Sequence, residues 1–529
     1  MPERRDLSPA DACWLYSEWE KNHQTVSALL WTDRRVDPEA LREAVQTRLI
    51  DQYPVFVQRV VMSRNPLLMP HWEDDPDFDI GRHIEVLDLA APGDKATLQA
   101  LVSDQRTPLL DRDHPLWKIY LIQGYQGDGS AMHLRIQHSI ADGWALVQLF
   151  LSLTDEADEE TSGKTDSQTD LDEADEDDRA DDQPDSTAWE SPLRLRRRTR
   201  RAVTGLRQGL HPASLARGRD ALEETLSVAA DPSRFVEFGS DISEALAEQV
   251  QDAGARIAES TTERVDRWNE RGSQVAEAAR LARAGVRDGL AFTFPARPGK
   301  TILHGDVGGQ KLVAWMDPIP LAPVKETGRA LDATINDVLM GALTNALRQY
   351  LLDRDALTVE ELRTSVPITL RNTNEDLPRN LGNKFGLVPV LLPVGLDDPI
   401  QHVLEIKRQV DEIKTSMMPI ASFGLLGFTA LTTPEIERQI HAINQSHSIG
   451  VTTNVPGPRH EVSLCGAKVL GAWGMGGLSG NMNLSFGIFS LNGEVNFAVH
   501  SDAALTPDPD EIVRLFRESL LTLQTRAGL

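Results

Sequence analysis

Sixteen acidic side chains against only Lys164 and Arg179 fall between Asp155 and Asp185, and this run decides how the rest of the chain can fold. Its net charge of −14 is more than half of the −26 carried by all 529 residues. The run has no aromatic residue and is rich in Asp, Glu, Ser and Thr. Such a segment cannot bury enough apolar surface to offset the entropy of ordering it, so it reads as a disordered linker. A chain of this length also exceeds one ordinary core. The expected organisation is therefore a first domain at 1–153, the acidic linker at 154–190, a basic and helical connecting region at 191–299, and a second domain at 300–529.

In the first domain, Thr25 to Trp31 reads as a strand. A helix follows, opened by Asp37 as cap and Pro38 at its first position, with Ala40, Leu41, Ala44, Val45 and Leu49 on one face. Val55 to Met62 and Lys118 to Tyr125 read as extended. A turn at Gly127-Asp-Gly-Ser130 leads into alternating Met132, Leu134 and Ile136, the second arm of a hairpin. His138 falls at or just past the end of that arm, within Arg135-Ile-Gln-His-Ser-Ile-Ala-Asp-Gly143, an HxxxDG pattern. From Ala141 onward, Trp144, Leu146, Val147, Leu149, Phe150 and Leu151 form a helix that is apolar on nearly every side, hence expected to be buried. A histidine between a strand end and a buried helix has its backbone fixed, as a general base requires. The same position suits a satisfied core or capping histidine, and the spacing leaves both readings open.

In the second domain, Ile335, Val338, Leu339, Ala342, Leu343, Ala346, Leu347 and Tyr350 keep a 3.6-residue stripe. Thr334 and Asp337 fit the acidic form of a capping box at its start, which accounts for Asp337 and leaves Asn336 without a structural reason. Strands are expected at Thr364 to Leu370 and Gly450 to Asn454. A hairpin around Asn492-Gly493 joins Asn483–Ser490 with Glu494–His500, and Asn-Gly suits a type I′ turn. Two mixed α/β halves result. In the connecting region, Asp241 to Leu290 keeps helical spacing at Ile242, Leu246, Val250 and Ile257, readable as a solvated or domain-bridging helix pair or as a membrane-surface helix.

Other classes fall away. No apolar run reaches the ~18 to 20 residues that span a bilayer, and the first residues lead into no signal-type apolar core. A cytoplasmic location is expected, with peripheral contact to an inner membrane or lipid inclusions as an open alternative. Cys13 and Cys465 lack ligand spacing, so neither a disulfide framework nor a metal site is expected. The glycines at 471, 474, 476, 477 and 480 fit neither GxxxxGK[ST] nor GxGxxG and read as a loop or bulge. No GxSxG elbow is present. The arginines from Arg194 to Arg201 could meet anionic lipid head groups or the neighbouring acidic run. The acidic balance and the absence of nucleic-acid-binding motifs argue against nucleic acid as a partner.

The motifs together resemble the bacterial wax ester synthase/diacylglycerol acyltransferase family, within the chloramphenicol acetyltransferase-like superfamily of CoA-dependent acyltransferases. Leu7-Ser-Pro-Ala-Asp11 is similar to the family's LSPxD element and Pro115-Leu-Trp117 to its PLW element. Asn336-Asp337 is similar to its ND element, Val366-Pro-Ile-Thr-Leu-Arg371 to VPxxLR, Gly382-Asn383 to GN, Asn454-Val-Pro-Gly-Pro458 to NVPGP, and Pro507-Asp-Pro509 to its last element. They occur in the family's order across nearly the whole chain. One departure stands out: the family commonly has HHxxxDG, and here Gln137 takes the first histidine's place. Gln cannot act as a base but can donate and accept hydrogen bonds, and strand alternation points it away from the face His138 uses, in a supporting role.

The resemblance implies an α/β (α+β) fold of two chloramphenicol acetyltransferase-like mixed-sheet domains with the active site in a channel between them. It implies acyl transfer from acyl-CoA, a co-substrate rather than a bound cofactor, to a long-chain alcohol or diacylglycerol, giving wax esters or triacylglycerol. His138 is the implied general base, acting without an acyl-enzyme. Asn336 is a candidate oxyanion donor at a helix N-terminus, or else orients CoA or a strand end. Asp142 is expected to pair with Arg371 rather than with His138. Gly143 is expected either to permit close packing at the helix start or to serve as a simple turn glycine. Alternatives are a related acyltransferase with another acceptor or a carrier-protein thioester, and a noncatalytic scaffold on lipid droplets or membrane surfaces.

Overall fold

The computed structural model describes residues 4–63, 69–156, 299–372, 375–416, 418–429, 448–478 and 480–529. The acidic linker beyond Glu156, the region 191–298, the arginines from Arg194 to Arg201 and the expected helices between Asp241 and Leu290 lie outside the described residues. The described residues within Met1–Glu159, Arg297–Asp411 and Ser422–Leu529 form one compact unit.

Three sheets organise the strands, numbered along the chain. A small sheet pairs β1 (Arg5–Asp6), β4 (His71–Asp74) and β3 (Gln58–Val61). The first large sheet has seven strands, in the order β5 (Ile84–Asp88), β6 (Trp117–Tyr125), β7 (Gly129–Gln137), β2 (Thr25–Thr32), β15 (Ala467–Met475), β14 (Val462–Leu464) and β8 (Asp155–Glu156). The second, also seven-stranded, runs β10 (Ile319–Pro320), β17 (Glu494–Asp502), β16 (Leu484–Leu491), β13 (Gly450–Pro456), β11 (Leu362–Thr369) and β12 (Phe385–Leu392), with β9 (Lys311–Trp315) also on β17. Both are mixed: β5 runs parallel to β6, and β13 runs parallel to β11 and β16, while the other pairs are antiparallel. Strands β14 and β15 come from the carboxy-terminal part of the chain yet finish the amino-terminal sheet, β15 pairing with β2 from Val469–Thr32 to Met475–Ser27.

Local chemistry explains most elements. Asn492 and Gly493 both have positive φ, as a type I′ turn between β16 and β17 requires. Helix α1 (Pro9–Tyr16) starts at a Ser8 cap, and its residues from Ala10 to Tyr16 are all buried. Helix α2 (Pro38–Val45) is capped by Asp37. Helix α3 (Lys95–Arg106) precedes the β6–β7 hairpin, and α4 (Gly143–Ser152) is capped by Asp142, whose side chain accepts from Ala145 N–H. Helix α5 (Ile335–Leu352) carries the Thr334/Asp337 capping box in both directions.

Two expectations need correcting. Val55 lies in a 3₁₀ turn, Pro54–Val57, and only Gln58–Val61 is strand; Pro54 at the first position presets the helical φ. Helix α4 is not buried all round: Ala145, Leu146, Leu149 and Phe150 are buried, whereas Trp144, Val147 and Leu151 are half-buried. Val147 packs against the core and also lines a cavity.

The sheets meet around three tryptophans from different strands. Trp315 of β9 lies 6.2 Å from Trp31 of β2 and 5.8 Å from Trp473 of β15, ring centroid to centroid. Truncating one such buried ring typically costs about 3–5 kcal/mol. Nearby, a Cβ on Gly487 of β16 would lie 2.4 Å from the Gly474 carbonyl oxygen of β15. Only glycine permits that approach. Gly471 sits at a register shift in β15, so this part of the glycine-rich stretch is a bulge.

Candidate active site

His138 stands one residue beyond β7, its N–H still donating to Gln24 C=O at 2.8 Å, just before β2. The loop from there to α4 docks on the segment 381–384: Gly382 N–H donates to Ile140 C=O at 3.0 Å, and Ala141 pairs with Gly382 as an isolated bridge. Gly382 has φ +75°, and its missing Cβ leaves Asp11 room to approach this turn.

The imidazole sits among aromatic rings. Trp14 of α1 stacks on it with centroids 4.3 Å apart and planes 16° apart, and Phe385 of β12 lies 5.4 Å away. Gln137 holds the backbone on both sides of this stack. Its Nε2 donates to Trp14 C=O at 3.0 Å, and its Oε1 accepts from Ser139 N–H at 2.5 Å.

Hydrogen bonding around the ring defines its tautomer. Asn383 Nδ2 donates to Asp11 Oδ1 at 2.8 Å and to His138 C=O at 2.7 Å, both of which can only accept. The other amide atom, 3.0 Å from His138 Nδ1, is therefore Oδ1, an acceptor. His138 must carry its proton on Nδ1, leaving the lone pair on Nε2. Burial, the largest influence, pushes the imidazole pKa below its ordinary value of 6.5; its own carbonyl, the Asp142 charge and Asn383 oppose this. The ring is neutral at neutral pH, as a base must be.

Asp142 faces away from this chemistry. Its Oδ2 accepts from Arg371 Nε at 2.6 Å and from Lys384 N–H at 2.9 Å, and its Oδ1 caps α4 through Ala145 N–H at 2.9 Å. Arg371 also donates to the carbonyls of Leu381 and Gly382. With side chains 1% and 7% exposed, this is a buried ion pair binding the signature loop to the 381–384 turn.

The open side of His138 faces an almost wholly apolar cavity. Leu134 and Ile136 of β7, Leu146 and Phe150 of α4, and Leu387, Val455 and Phe489 of the second sheet contribute to its wall, which both large sheets share. Among the described residues that line it, Gln24 and Thr453 add an amide and a hydroxyl. Gly143 also lines it, and a Cβ there would meet nothing within 4 Å, so close packing is not what Gly143 supplies. It leaves space in the cavity wall.

Asn336 is tied to β13. Its Oδ1 accepts from Asn454 Nδ2 at 3.1 Å, and it is not among the residues lining the cavity. Asp337 is engaged in the helix cap through Thr334. The residues that reading the sequence left without a role are Asp11, Trp14 and Asn383. Asp11 and Asn383 were visible within the LSPxD and GN elements, and Trp14 lies three positions beyond Asp11 on the same helix face. Among the described residues no group of His, Cys, Asp and Glu is arranged to hold a metal ion, and no helix is long and apolar enough to cross a membrane.

The catalytic-domain model of the wax ester synthase/diacylglycerol acyltransferases matches residues 7–339, and that family's C-terminal-domain model matches 381–524. The chain belongs to this family. It is accordingly an O-acyltransferase. Two Mycobacterium tuberculosis relatives are named "Probable diacyglycerol O-acyltransferase", tgs1 and tgs2. The first is 24% identical over 480 residues, 88% of this chain and 84% of its own. The second is 24% identical over 536 residues, 99% of each. Among solved structures, the wax ester synthase/diacylglycerol acyltransferase from Marinobacter aquaeolei VT8 superposes with TM-score 0.59 at 17% identity, covering 99% of this chain and 100% of its own. A condensation domain of the calcium-dependent antibiotic synthetase has TM-score 0.52 at 14% identity, covering 99% and 96%. These likenesses establish the family's two-sheet fold.

Proposed function

We propose that the protein transfers a fatty acyl group from acyl-CoA directly to the hydroxyl of a long-chain alcohol or diacylglycerol, with His138 as general base. The observation that carries this reading is the imidazole whose Nδ1 proton is engaged by Asn383 while the ring opens into an apolar cavity. Nε2 takes the hydroxyl proton as the alcohol oxygen bonds to the thioester carbonyl carbon. The tetrahedral intermediate then collapses, the C–S bond breaks, and the CoA thiolate recovers the proton from Nε2. No acyl-enzyme forms. A base of this kind contributes about 10² to 10⁴ in rate, and an apolar wall suits both the acyl chain and a lipid acceptor.

Asn336 is the proposed donor to the oxyanion or to the acyl-CoA, since Asn454 holds its carboxamide by the oxygen and leaves Nδ2 to donate. The arginines from Arg194 to Arg201 are proposed to hold the enzyme on anionic lipid, which flotation with liposomes with and without anionic lipid tests.

The deciding experiment incubates the purified protein with palmitoyl-CoA and either hexadecanol or a diacylglycerol. CoA release matched by ester is expected, falling about 10²-fold or more in His138→Ala at unchanged folding. Unchanged turnover in that variant removes the base assignment, and an acyl adduct formed with palmitoyl-CoA alone removes direct transfer.

A further inference from the structure

Asp11 is buried, 5% exposed, at the site end of α1. It accepts from Ser8 Oγ at 2.6 Å and from Asn383 N–H and Asn383 Nδ2, each at 2.8 Å. Two of these three bonds hold one residue, Asn383, by its backbone and by its amide. A carboxylate can only accept, so it forces the NH₂ end of the Asn383 amide toward itself. The carbonyl end is thereby turned to His138 Nδ1. With an acceptor-only atom there, the alternative tautomer would put two lone pairs against each other, a cost that adds to the bond His138 makes to its own carbonyl in favouring Nδ1–H.

We infer that Asp11 and Asn383 form a positioning relay that selects the His138 tautomer and aims Nε2 at the acceptor hydroxyl, without either residue touching substrate. This rests on the reading of His138 as base. The relay differs from a carboxylate placed directly on an imidazole, because a neutral amide is interposed. It orients the ring without the full electrostatic stabilisation of an imidazolium that a contacting carboxylate would give. Among the described residues, the charge that bears on the ring is Asp142, itself paired with Arg371, while Asp11 is linked to the ring through Asn383.

The test compares wild type, Asn383→Ala, His138→Ala and the exchanged pair Asp11→Asn/Asn383→Asp in steady-state acyl transfer, with ¹⁵N NMR of labelled histidines. The His138 resonances are identified by their loss in His138→Ala. Asn383→Ala is expected to lower kcat about 10-fold or more with KM for palmitoyl-CoA within about threefold, and to move the His138 ¹⁵N pattern from Nδ1–H toward Nε2–H. The exchanged pair sets a carboxylate against His138 Nδ1–H and gives up the Asn383 N–H bond to residue 11, because the single Asp11 oxygen that accepts both Asn383 donors cannot become donor and acceptor at once. The pair is expected to recover kcat relative to Asn383→Ala and to shift the acid limb of kcat/KM upward in pH. Wild-type kcat or an unchanged ¹⁵N pattern in Asn383→Ala overturns the relay, as does an unmoved acid limb in the exchanged pair. Full activity in His138→Ala would instead overturn the base reading, leaving the ¹⁵N result to judge the relay separately.

Discussion

Two buried aspartates grip the same turn at 381–384 and do opposite things with it. Asp142 meets a guanidinium and the Lys384 N–H. Asp11 takes hydrogen bonds from a hydroxyl, an N–H and an amide, with the charge of Arg5 ranking below them. Burial therefore pushes the Asp11 carboxyl above its usual range, the hydrogen bonds from Ser8 and Asn383 offsetting only part of it. The Asp142 side holds the loop in place by charge pairing. The Asp11 side is a weaker anchor that controls which way an amide, and hence an imidazole, faces. Fixing a loop and fixing a proton are separate tasks, and this site assigns them to separate carboxylates.

The sharpest way to break that distinction is to remove each carboxylate. Asp142→Ala leaves Arg371 buried without its counter-charge and should cost about 3–5 kcal/mol of stability, read by urea denaturation. Asp11→Asn should cost under about 1 kcal/mol, because a neutral side chain relieves the burial penalty, while kcat falls about 10-fold. If both variants lose equal stability, the division of labour is wrong.

The pH profile sharpens the same comparison. The folded pKa of His138 is depressed below 6.5, so the neutral base persists as pH falls through 6.5 and activity is lost only on reaching the folded pKa. The acid limb of kcat/KM should lie below pH 6.5; a limb above it would mean that a counter-charge acts on the ring. By linkage, His138 also withdraws stability as pH falls below 6.5, because the unfolded chain then binds the proton more readily. The smallest effect is expected at Gly143, where alanine gains about 0.4–1 kcal/mol from reduced unfolded-state freedom. Kinetics with acyl-CoAs of increasing chain length should show Gly143→Ala discriminating against the bulkier ones, because its methyl enters the cavity wall.

Much of this was legible in local patterns. The β6–β7 hairpin, the Asn492-Gly493 turn, the caps at Asp37 and Thr334 and the stripe of α5 each follow from a few neighbouring residues. The Asp142–Arg371 partnership came from the family resemblance, and no local periodicity could have supplied it across 229 positions. What stayed hidden was long-range register. Nothing in Val462–Met475 announces that it joins the sheet of Thr25–Thr32, since alternation shows which face is buried and not which strand is the neighbour. Asp11 and Asn383 are 372 positions apart, so their joint hold on His138 exists only once the sheets have assembled.

The crossing of β14 and β15 into the first sheet also orders events in time. During synthesis β2, β6 and β7 leave the ribosome hundreds of residues before β15, and until then the edge of β2 is an open row of backbone donors and acceptors. The chain must therefore keep that edge from pairing with other molecules until about residue 475 has been made. Vectorial folding alone cannot complete the half that carries the signature histidine.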